Sequence, residues 1–100
     1  MNNAYGSNRK IVLEIIRTEG KAMLKSAIVQ KFEEITGLKD QNGVVTTAIS
    51  SLNFSHVLIG YKPEGAKFRG LYWTLKTWWV NDKLAEEHKP APYNPISKYL

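Results

Sequence analysis

The sequence predicts an α+β domain, mainly α, in which three amphipathic helices share one core and a β-hairpin follows them. Three observations carry this expectation. Between Arg9 and Leu52 the apolar residues recur in runs at helical spacing. After His56 the period changes: Val57–Tyr61 is β-branched and aromatic and reads as a strand, and Phe68–Leu75 reads as a second. The turn Pro63-Glu64-Gly65-Ala66 separates those two runs, as a hairpin requires.

Taken in order, residues 1–7 are small and polar and read as a flexible leader. Ser7 or Asn8 then supplies a cap, and Ile11, Val12, Ile15 and Ile16 fall on one face of a helix over 9–19 that Gly20 stops. Lys21-Ala22-Met23-Leu24 is too short for another helix and reads as a small strand or extended connection. From Lys25 or Ser26 to Thr36, Ile28, Phe32 and Ile35 share a second helical face, and Gly37 is the left-handed stop. A polar turn over 38–43 leads into a third helix at 43–52, with Val45, Ala48, Ile49 and Leu52 inward and Gln41, Asn42, Thr46, Thr47, Ser50 and Ser51 opposite. In the second strand Leu71, Trp73 and Leu75 alternate toward one side. The domain is expected to span 8–80, with 81–100 forming a short helical piece at 81–88 and a tail broken by Pro90, Pro92 and Pro95.

Composition limits the function classes. The 100 residues make one domain of ordinary size, 43% hydrophobic and 23% charged, which is a globular balance. With no Cys there is no disulfide framework, thiolate metal site or cysteine nucleophile. His56 and His88 are 32 positions apart, so no metal site is expected. Glu33 and Glu34 are adjacent and diverge around a helix, as do Glu86 and Glu87, so neither is an acid–base pair. The expectation is a protein that is not an enzyme and takes no cofactor. No apolar run reaches the roughly 18 residues of a membrane span, and the start Met-Asn-Asn-Ala-Tyr-Gly-Ser-Asn lacks signal-peptide character, so a cytoplasmic location is expected.

The net charge of +5 is unevenly placed. Residues 61–80 hold Lys62, Lys67, Arg69 and Lys76 against Glu64, an excess of three, and six of the eleven aromatics. Cations interleaved with rings suit a phosphate-bearing partner, but on this feature alone a strand pair with solvated Lys and buried rings is the simpler reading.

Helix, short extended piece, helix, turn, helix, hairpin is a chain order that resembles the winged helix-turn-helix. The likeness covers about residues 8–76 and is to small winged-helix repressor domains. It extends more loosely to the winged-helix module of bacterial RNA polymerase delta subunits, through Tyr72-Trp73-Thr74-Leu75. The resemblance implies double-stranded DNA as partner and transcription regulation as role. The helix at 43–52 would enter the major groove, and the hairpin at 57–75 would be a wing on the backbone or minor groove.

The residues that would then meet DNA are Lys39, Gln41, Asn42, Thr46, Thr47, Ser50, Lys62, Lys67 and Arg69. Asn and Gln match the adenine edge, and Thr and Ser suit bases, thymine methyls or phosphate. Lys and Arg suit phosphate. The N-terminus of the third helix would itself attract an anion. That helix has no Arg or Lys, which also fits an alternative: a winged-helix protein-interaction module with no nucleic-acid binding. Trp78, Trp79 and Val80 have two readings, cover by the proline-bearing tail or a homodimer surface formed with it.

Overall fold

The computed structural model describes residues 4–63 and 70–90. It is a small α+β domain, mainly helical, with three helices and a small antiparallel sheet. The tail from residue 91 onward, the start at residues 1–3, and Lys67 and Arg69 lie outside the described residues.

Helix α1 runs Ala4–Glu19. It begins one turn before the expected Ser7 or Asn8 cap, so residues 4–7 are helix rather than leader. Ala4 favours the helix, and Gly6 and Ser7 cost it only about 1 kcal/mol or less each. The buried stripe of α1 is Val12, Ile15 and Ile16. Strand β1, Met23–Leu24, leads directly into α2, Lys25–Thr36.

Helix α2 buries Ile28 and Phe32 completely or nearly so, but Ile35 is 61% exposed. The three do share a face. Ile35 lies one residue from the helix end, where it rims a shallow groove with Glu14, Ile15, Thr18, Glu19 and Lys31 instead of entering the core. Gly37 closes α2 at φ 73°, donating its N–H to the Glu33 carbonyl at 2.8 Å. No neighbouring atom would meet a Cβ there. Gly37→Ala therefore isolates the left-handed backbone, and it is expected to cost roughly 1–2 kcal/mol in chemical denaturation, with no change in the circular dichroism of the native state.

Helix α3, Asn42–Phe54, buries Val45, Ala48, Ile49 and Leu52, the four residues expected from their spacing. These join the α1 and α2 stripes with Met23, Leu58 and Leu75 in one core. Strands β2, Leu58–Tyr61, and β3, Tyr72–Leu75, pair antiparallel, Leu58 with Leu75 and Tyr61 with Tyr72. Strand β1 adds to the other edge of β3, so the sheet order is β1-β3-β2. Leu71 and Trp73 pass over Gly60 so closely that a Cβ there would lie 2.8 Å from the Leu71 side chain.

The chain after Leu75 differs from the expected helix at 81–88. A 3₁₀ turn, Lys76–Trp78, is followed by a two-stranded ribbon, β4 Trp79–Val80 and β5 Lys83–Leu84. The two residues joining them, Asn81 and Asp82, have φ 51° and 62°. Asn and Asp tolerate that region, and two such residues form a tight hairpin turn. A second 3₁₀ turn covers Glu86–His88.

The ribbon covers the sheet face opposite the helices. Trp79 meets the Tyr61 ring edge-on at 6.0 Å, and its Nε1–H donates to Thr74 Oγ1 at 2.8 Å. Thr74 is fully buried, and its hydroxyl donates in turn to the Ile59 carbonyl.

The packed unit accordingly extends past the expected boundary at residue 80. Ala22 N–H donates to the His88 carbonyl at 2.9 Å, and His88 Nδ1 is 2.7 Å from the Gly20 carbonyl oxygen. The His88 ring stacks on Trp78 at 4.2 Å. Both tryptophans are half-buried and engaged by their own chain; Val80 is 63% exposed. No described helix is long and apolar enough to cross a membrane.

Candidate nucleic-acid interface

With Val45, Ala48, Ile49 and Leu52 turned inward, helical geometry decides what α3 shows outside. At 3.6 residues per turn the line opposite the buried stripe is Gly43, Thr47, Ser50 and Phe54, at offsets of four, seven and eleven. All four are exposed, and Asn42 is exposed at the start of the helix. The structure thus brings Thr47 and Ser50 together on one open line of the helix, while Asn42 is exposed only as its first residue, well over a quarter turn around the axis from that line and above the buried stripe.

Thr46 lies at the flank and is half-buried. Its hydroxyl oxygen is shielded from solvent and has no hydrogen-bond partner among the described residues. Its hydroxyl therefore turns away from the outer face, unlike those of Thr47 and Ser50.

Gln41 is occupied by the turn. Its Nε2–H donates to the Lys39 carbonyl at 2.8 Å, and its backbone N–H donates to Glu33 Oε2 at 3.0 Å. The sequence predicts an open anion site at the N-terminus of α3; the structure puts a carboxylate there. Glu33 reaches across from α2, a placement that spacing within one helix does not reveal. Lys39 and Asp40 are exposed in the same turn, and Asp40 takes φ 59°.

The far end of α3 is joined to the sheet. Asn53 Nδ2–H donates to the Leu58 carbonyl at 2.9 Å, and Val57 N–H to the Leu52 carbonyl at 2.9 Å. Phe54, 86% exposed, projects from this end. The sequence pattern ends the helix at Leu52 and so misses Phe54; extending the Thr47–Ser50 line by one turn finds it. Lys62 is exposed just beyond β2.

The arrangement offers short hydroxyl and amide groups along one helix, flanked by cations at the turn and beside the hairpin. Among the described residues no group of His, Asp and Glu is placed to hold a metal ion. No known protein family, curated protein or solved structure is detectably similar to the chain.

Proposed function

We propose that the chain is a winged-helix DNA-binding protein acting as a transcriptional regulator, with α3 in the major groove and the β2–β3 hairpin as the wing. The observation that carries this reading is the β1-β3-β2 sheet, in which the hairpin is rooted directly beside an α3 whose outer face is open and carries Thr47 and Ser50. In a docked complex Asn42 pairs with an adenine edge, and Thr47 and Ser50 contact bases or thymine methyls. Lys39 and Lys62, with Lys67 and Arg69, hold the phosphates and fix the register of the helix without reading sequence.

Duplex binding titrated against salt tests this. Changing Lys62, Lys67 and Arg69 together to Ala is expected to weaken binding of all sequences. It should also flatten the logarithmic salt slope by about 0.9 for each phosphate no longer neutralised. Thr47→Ala with Ser50→Ala is expected to leave the slope intact and narrow the gap between preferred and random duplexes. Absence of duplex binding at low salt rejects the reading. The exposed Phe54 then favours the second one, a winged helix that docks a protein through the same helix and binds no nucleic acid.

A further inference from the structure

The carboxylate at the start of α3 stands where a duplex-binding helix would ordinarily accept a phosphate. A helix N-terminus carries the equivalent of about half a positive charge, and an anion placed on it offsets that charge. Glu33 does this from α2 through its hydrogen bond to the Gln41 N–H, and its half-buried position keeps it there. Among the described residues no Lys, Arg or His lies within ion-pair reach of Glu33. Asp40 adds a second negative charge to the turn, against Lys39 alone. The end of α3 that leads into the groove is therefore acidic on balance, in a protein whose overall charge is +5.

We infer that Glu33 is a specificity-determining residue, an electrostatic filter that weakens phosphate-only attachment of α3 to duplex DNA. The inference rests on the DNA-binding reading above. Phosphate attraction is sequence-independent and supplies essentially all non-specific affinity. A negative charge at the leading end of the helix lowers that attraction. Base-edge contacts by Asn42, Thr47 and Ser50, which need no cation, are left intact. The filter also accounts for a recognition helix without Arg or Lys, since discrimination then comes from suppressing the non-specific competitor.

The test measures binding of the full chain to a random-sequence duplex across a salt series. Glu33→Gln keeps an acceptor for the Gln41 N–H and removes the charge. It is expected to tighten binding at low salt by up to about fivefold and to steepen the salt slope by up to about 0.9. Glu33→Asp keeps the charge while shortening the reach, and is expected to bind as weakly as the parent chain. Glu34→Gln makes the same change in net charge at an exposed position facing Lys31, and is expected to change affinity less than about twofold. Equal tightening by Glu33→Gln and Glu34→Gln would assign the effect to net charge and overturn the inference. Tightening by Glu33→Asp would assign it to the hydrogen bond and overturn it too. A parent chain that binds duplex, with Glu33→Gln unchanged, removes the filter alone. If neither binds at low salt, the DNA-binding reading falls with it.

Discussion

Phe32→Ala is expected to destabilise the domain by about 3–5 kcal/mol, which approaches the whole stability of a small domain. Phe32 is 1% exposed, and it packs in the cluster formed by the α1 stripe, the α3 stripe and the sheet residues Leu58 and Leu75. Truncation removes a large transfer free energy and leaves a cavity bounded by elements on several sides, none of which can close it without moving a helix or the sheet. At about 4–8 °C per kcal/mol for a chain of this size, the thermal midpoint should fall by some tens of degrees or the fold be lost. The matched substitution is Ile35→Ala. The sequence sets Ile35 on the same face as Phe32, three residues on, yet it is 61% exposed. Its truncation is expected to cost within about 0.5 kcal/mol, as at ordinary surface positions. Denaturant melts of the two variants measure the difference directly. Comparable losses at the two positions would mean that α2 is buried to its end, contrary to the structure.

That pair shows where sequence periodicity stops being informative. Spacing identifies which residues share a face, so Val45, Ala48, Ile49 and Leu52 are legible as the inward stripe of α3, and Thr47 and Ser50 as part of its exterior. Periodicity does not report how far along a helix its partner extends, and so it misplaces Ile35. Nor does it show which group from another element arrives at a helix end. Glu33 and Gln41 are eight residues apart on either side of a turn, and only the fold brings the carboxylate to the N–H.

The region after Leu75 is illegible for a different reason. Lys83-Leu84-Ala85-Glu86-Glu87 has good helix propensity, but propensity is a weak prior that tertiary packing overrides. Here Leu84 gains burial by pairing back against Trp79. Asn81-Asp82 is the local signal for that reversal, a residue pair suited to positive φ between two short runs.

Trp79→Ala is expected to cost about 3 kcal/mol, toward the low end for loss of a large aromatic because the ring is only half-buried. The ring covers the outer face of the sheet at Tyr61, and its Nε1–H satisfies the hydroxyl of Thr74, which is fully buried. Removing it opens that hydroxyl and its bond to the Ile59 carbonyl to water, and releases β4 from the sheet. Trp79→Phe keeps most of the covering ring and loses the donor alone, so about 1 kcal/mol is expected. The graded pair separates packing from hydrogen bonding; equal losses would mean that the ring contributes little. The same residue is a candidate for a homodimer surface with Trp78 and Val80, and a structural role makes the opposite prediction for the third member. Val80 is 63% exposed. Val80→Asp should therefore leave both the melting temperature and the sedimenting mass unchanged, whereas a dimer centred on these three residues would fall to half its mass. Trp79 fastens the ribbon to the hairpin sheet through its edge contact with Tyr61 and its hydrogen bond to Thr74.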